Sequence, residues 1–131
     1  MHVYALVRKV GYKGKMPGVL EEILIASELG CPLYLLGGFG GVVRDVCELL
    51  QDNKCSDSLT EQWQSSCNKG YRELLQRYKE QGEEVDYLEL QNKLRCINFN
   101  NGLTQEENEI LFNTVYVDEA IQLILKGLQS I

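Results

Sequence analysis

The sequence has one histidine (His2), two prolines and one tryptophan among 131 residues. With a single imidazole and no C-x-x-C pair among Cys31, Cys47, Cys55, Cys67 and Cys96, it lacks a zinc ligand set. The cysteines are odd in number and widely spaced, so no disulfide framework is expected, and a thiol in an apolar stretch packs as a small hydrophobe. No segment approaches the roughly 18 to 20 apolar residues of a membrane span. The residues after Met1 lack the pattern of a signal peptide. The expectation is a cytoplasmic protein that needs no metal or resident cofactor. There is no internal repeat and no low-complexity tract.

Basic charge is also scarce. A net charge of −6 argues against general affinity for nucleic acid. Its distribution is uneven: the first twenty residues carry Arg8, Lys9, Lys13 and Lys15 and no acid, while nine bases face nineteen acids in the remainder. A basic entry on an acidic body points to one local anion site. A solvated basic N-terminus is the blander reading.

What is present is an α/β pattern. Val3 to Val7 is short, apolar and rich in β-formers, and predicts a buried strand. A loop from Gly11 to Gly18 leads into a helix from about Pro17 to Leu29, which Gly30 terminates. Pro32 to Leu36 is a second apolar run without alternation, as in a parallel sheet covered on both faces. It passes into Gly37-Gly38-Phe39-Gly40-Gly41, and a helix is predicted from Val42 to about Gln51. Residues 1–53 therefore read as a βαβα core, and 58–131 as a helical part of the same single domain.

In that helical part, Ser58 with Glu61 and Thr104 with Glu107 have capping-box spacing. Trp63, Cys67, Tyr71, Leu74, Leu75 and Tyr78 keep one helical phase up to Gly82. A helix is predicted from Val85 to about Cys96, then a loop at Asn98–Gly102 and a short helix holding Ile110, Leu111 and Phe112. A last helix is capped by Asp118, with Ala120, Ile121, Ile124, Leu125 and Leu128 on its buried side. Two strands do not make a stable sheet alone. The expectation is that this is the C-terminal part of a fuller sheet, completed upstream or by a partner chain.

Both glycine loops leave the carboxyl end of a strand, where ligands bind in open α/β sheets. Glycine lets backbone amides approach a ligand, and the amides of a helix N-terminus hold phosphate. Lys13, Gly14, Lys15, Pro17 and Gly18, with Gly37, Gly38, Gly40, Gly41 and Arg44, are the candidate phosphate-binding residues. Arg44 suits an anion, or Asp45, at a helix start where a cation is otherwise misplaced. Phe39, exposed between glycines, offers a platform for a base. Glu22 falls on the apolar side of its helix, near where a ribose would lie. The bland alternatives are glycine turns needed for packing and acids that only favour the helix dipole.

Gly14-x-Met16-Pro17-Gly18-x-x-Glu21-Glu22 and Pro32-Leu33-Tyr34-Leu35-Leu36-Gly37-Gly38-Phe39-Gly40-Gly41 resemble the SLOG superfamily of Rossmann-like nucleotide binders. That superfamily groups LOG phosphoribohydrolases with Smf/DprA proteins. The stretch Asn101 to Phe112 and the run Leu123 to Leu128 resemble the end of its STALD branch, which accompanies TIR or sirtuin-type NAD-cleaving effectors of antiphage systems. The resemblance implies a sensor of an ADP-ribose-type nucleotide, in a homo-oligomer, with a fused or partner NADase. The helices after Trp63 are then candidates for the subunit interface. The LOG motif P-G-G-x-G-T-x-x-E lays its glutamate on Glu22 and its threonine on Val19. That implies, as alternative, N-glycosidic hydrolysis of a nucleoside monophosphate with Glu22 as the catalytic group. A helical assembly module without ligand is the third reading.

Overall fold

The computed structural model describes residues 2–4 and 14–131. Two strands, β1 (His2–Tyr4) and β2 (Leu33–Leu35), pair in parallel with His2 opposite Leu33 and Tyr4 opposite Leu35. Helix α1 (Gly18–Glu28) connects them, and α2 (Gly41–Asp52) follows β2 after a 3₁₀ turn at Gly37–Phe39. This is the expected βαβα core of an α/β fold. Part of the first predicted strand and Lys13 lie outside the described residues.

Five helices follow: α3 (Glu61–Cys67), α4 (Tyr71–Glu80), α5 (Tyr87–Arg95), α6 (Gln105–Asn113) and α7 (Val117–Gln129). The side-chain period of two sorts β2 between two layers. Leu33 and Leu35 enter one cluster with Leu20 and Ile23 of α1, Val46 and Leu49 of α2, and Leu94 of α5. Tyr34 and Leu36 enter the other, with Leu111 of α6 and Ala120 of α7. Burial on both faces explains why β2 shows no polar alternation. Each such fully buried aliphatic side chain contributes about 1.5–3 kcal/mol.

The far edge of β2 is closed by a loop instead of a third strand. The Leu33 amide donates to the Phe99 carbonyl (2.9 Å), and the Leu33 carbonyl accepts from Asn101 Nδ2 (2.8 Å). Asn101 is itself buried and bonds Asn108 Oδ1 on α6 at 2.7 Å. The Tyr34 hydroxyl donates to the Asn101 carbonyl at 2.9 Å, tying this loop to the sheet face under α7.

Several helical expectations are corrected. The stripe from Trp63 to Tyr78 is not one helix: it breaks between Cys67 and Tyr71, where Asn68 Nδ2 bonds back to the Gln64 carbonyl (2.9 Å) and Gly70 takes φ 81°. Ser58 caps nothing; it lies in a 3₁₀ turn, and Thr60 accepts the Trp63 amide instead. The Thr104–Glu107 capping box forms as expected. Asp118 sits inside the first turn of α7, whose cap position is Tyr116. Ile121 and Leu125 are about half exposed, because α7 turns Ala120 and Gly127 inward and its apolar arc is wider than the surface it covers.

Candidate functional site

The carboxyl edge of β2 opens directly into the second glycine loop. Gly37 is buried, and a Cβ there would lie 2.5 Å from the Phe112 carbonyl oxygen and 2.7 Å from Cys47 Sγ. A Cβ on Gly38 would run into the Thr114 carbonyl. Two of the four glycines thus let the end of α6 close onto the loop. Gly40 and Gly41 have φ of 84° and 68°, a backbone that turns the chain into α2. Among the described residues no side chain caps the first amides of α2, and its first turn holds no acid. A helix start of this kind is electrostatically suited to an anion.

Phe39 does not stand free: it is half-buried and packs on the Tyr34–Leu111–Ala120 cluster. Arg44 is exposed and bonds Glu48 Oε1 on the next turn (3.1 Å), not Asp45. An exposed pair of this kind is worth only about 0.3–0.5 kcal/mol, so Arg44 can exchange Glu48 for a ligand oxygen. Asp45 is buried and accepts the Ser58 hydroxyl. It faces the core of the helical part, and is not a plain helix-start acid.

The first loop is built differently. Among the described residues, Gly14 and Gly18 have room for a side chain: a Cβ on Gly14 would meet only Met16 O, at 3.8 Å, and one on Gly18 would meet nothing within 4 Å. Pro17 is buried at the cap position of α1, one place earlier than a first-turn proline. Lys15 is held by the helical part: its ammonium lies 3.1 Å from Glu83 Oε2 and 5.2 Å from the centre of the Tyr78 ring. The Tyr71 hydroxyl donates to the Lys15 carbonyl and lies 2.6 Å from the Tyr87 hydroxyl. A groove of about 300 Å³ beside the loop is walled by Glu21, Glu84, Asp86 and Glu89 with Lys15 and Lys93. The acids outnumber the bases on that side of the loop, which disfavours phosphate there.

Glu22 is exposed, contrary to its expected inward position. The buried stripe of α1 is Leu20, Ile23 and Ala26, so Glu22 falls more than a right angle from its centre. Its carboxylate stands near Tyr4, whose hydroxyl is also 3.1 Å from His2 Nδ1. Burial, and then the charge of Glu22, push the Tyr4 phenol above its ordinary range. Under the second loop, burial pushes the Cys47 thiol up to about 12. All five cysteines are free thiols.

The reading of the sequence missed a chain of buried polar groups between α2 and the helices behind the first loop. Asp45, Ser58, Gln64, Asn68, Tyr71 and Tyr87 are all buried. Gln64 Nε2 donates to the Ser58 carbonyl at 2.6 Å, and Asn68 Nδ2 lies 3.0 Å from Gln64 Oε1. A signal was available in the i, i+4 spacing of Gln64 and Asn68 beside the apolar stripe, one helical face with two amides at buried positions.

The order strand, glycine loop, helix, repeated at one edge, is matched by a family model. The model for SLOG cluster2 covers residues 7–111. The chain belongs to the SLOG family. No curated protein and no solved structure matches it. This SLOG chain is a nucleotide-related LOG-like domain with a Rossmann-like parallel sheet and helices on both faces. The SLOG match takes in both glycine loops, the buried polar chain and α6 up to Leu111, and stops before α7.

Proposed function

We propose that this SLOG domain is a sensor: it binds an ADP-ribose-type nucleotide at the two glycine loops and thereby sets the activity of an NAD-cleaving TIR or sirtuin-type effector in antiphage defence. The observation that carries the reading is the acid-free start of α2 at Gly40–Gly41, which no described side chain caps, together with a first loop whose Gly14 and Gly18 have no close neighbour among the described residues. The α2 amides and Arg44 would take a phosphate. Gly14 and Gly18 would let the ligand pass close to the backbone. A sensor must bind its ligand differently in two states, and the first loop provides a device for that. It is tied through Lys15 to α4 and to Glu83 in the turn before α5, so a ligand that moves the loop pulls on the helical part.

The alternative, LOG-like hydrolysis of an N-glycosidic bond, has in its favour the carboxylate of Glu22 beside the Tyr4 phenol. An exposed carboxylate is a weaker acid–base group than one tuned by burial. Calorimetry of the chain with ADP-ribose isomers, NAD and AMP tests the proposal. Binding of an ADP-ribose isomer without turnover is the expected result. Heat from none of them overturns it, and release of free base from AMP that Glu22→Gln abolishes replaces it with the hydrolase.

A further inference from the structure

Helix α6 buries Asn108, Leu111 and Phe112, so the helical period turns Glu106, Glu109 and Ile110 to its outer face. That face and the connection to α7 line one open groove of about 450 Å³, which also holds Val115, Tyr116 and Glu119. Ile110, Val115 and Tyr116 are 45%, 58% and 71% exposed there. The charges on the groove wall are of one sign: three glutamates, and no lysine or arginine among the described residues. Among those residues none of the three carboxylates has a salt bridge, whereas Glu107 on the same helix is met by Lys126. Glu106 and Glu119 stand in the first turns of α6 and α7, where the helix dipole favours an acid. Glu109 stands in the middle of α6, where the dipole gives no such reason.

We propose that this groove docks a basic amphipathic segment of a partner protein. Its apolar side chains lie on Ile110, Val115 and Tyr116, and its lysines or arginines meet Glu106, Glu109 and Glu119. Charge complementarity selects that occupant. A purely apolar segment would desolvate three carboxylates without matching them, and an acidic one would add like charge. Nucleic acid and anionic lipid are repelled on the same ground. A second copy would bring a further −6 to the same place. An exposed tyrosine between aliphatic side chains is the composition of an interface anchor, and an amphipathic helix laid in a groove is a common way to use one. The groove also borders the second glycine loop, because Thr114 on its wall is the residue whose carbonyl abuts Gly38. The inference does not depend on the ligand reading.

Fluorescence anisotropy of the whole chain tests it, with a labelled helical peptide of lysine and leucine whose leucines share one face. Its glutamate-for-lysine and serine-for-leucine counterparts serve as comparisons. Only the lysine–leucine peptide is expected to bind. Glu109→Lys and Tyr116→Ser should each raise its dissociation constant about tenfold, as loss of a central contact does. Glu73→Lys, the same charge reversal on exposed α4, should change it less than about twofold. Circular dichroism matching the parent chain confirms that the variants fold. No binding up to about 1 mM overturns the proposal. So does affinity that survives both groove substitutions, that falls equally in Glu73→Lys, or that the serine counterpart retains. Self-association that the groove substitutions abolish would give the surface to a second copy. Peptide binding that strengthens after Arg8→Ser with Lys9→Ser would give it to this chain's own basic stretch. Either result overturns the proposal.

Discussion

Among the described residues, Gly14 and Gly18 have no close neighbour, whereas Gly37 and Gly38 are pressed against the carbonyl oxygens that end α6. In the sequence, the second loop is the richer motif, with four glycines in five residues, and it draws attention first. In the fold, half of that richness is explained by packing against Phe112 and Thr114. The first loop has fewer glycines, but among the described residues no neighbour and no positive φ requires Gly14 or Gly18. Glycine density therefore measures crowding as much as ligand approach. Glycines with no structural reason are the better evidence for a binding loop.

That contrast can be broken by substitution. Gly38→Ala should destabilise by about 4 kcal/mol, the range of severe steric conflicts, seen as a collapse of the urea midpoint. A loss below about 1 kcal/mol would mean that α6 can shift and the packing account is wrong. Alkali probes the same region through Cys47. Its thiol is held protonated in the fold up to about 12, against an ordinary 9.0, so the unfolded chain releases the proton first. Stability is then full below pH 9 and falls by about 1.4 kcal/mol per pH unit as pH rises towards 12. Cys47→Ala should remove that limb. The decline from Tyr4 and Tyr34, both raised above their ordinary 10.0, would then begin only near pH 10.

For the first loop the expected effects are smaller. Tyr71→Phe removes the bonds to the Lys15 carbonyl and to Tyr87, and should lower stability by about 1–2 kcal/mol in thermal melts. Gly14→Ala and Gly18→Ala should change stability by no more than about 0.5 kcal/mol, yet weaken nucleotide binding in calorimetry. A stability loss comparable to that of Gly38→Ala, or unchanged binding, would erase the distinction between the loops.

The βαβα core was legible because each of its signals is local: an apolar run without alternation, a glycine at each turn and a helical stripe between them. The SLOG resemblance rested on those same residues, and the family match agrees with it. The site was only partly legible. Periodicity places Glu22 on a helix but fixes its phase only to within a residue, and the stripe Leu20, Ile23 and Ala26 turned it outward. Phe39 and Arg44 lie where expected along the chain, but α6, α7 and Glu48 claim them, and those contacts come from distant residues or the next turn. Gln64, Asn68 and Tyr71 read as an ordinary helix because the i, i+4 spacing of the two amides marks a shared face but does not say that it is buried until its partners, the first loop and Ser58, are in place.

Helix α7 lies beyond the matched residues, which end at Leu111, yet it packs with α6 on the Tyr34 face of the sheet through Ala120 and Gly127. Gly127 and Gly102 face each other so closely that a Cβ on either would meet the other's segment, and the Tyr34 ring lies beneath, wholly buried. The unit that family likeness delimits and the unit that packs together in the fold therefore have different borders. A boundary drawn at the end of the match would sever the floor of the sheet from its cover. The segment after Leu111, though outside the match, packs into the same buried cluster as Tyr34 and Leu111.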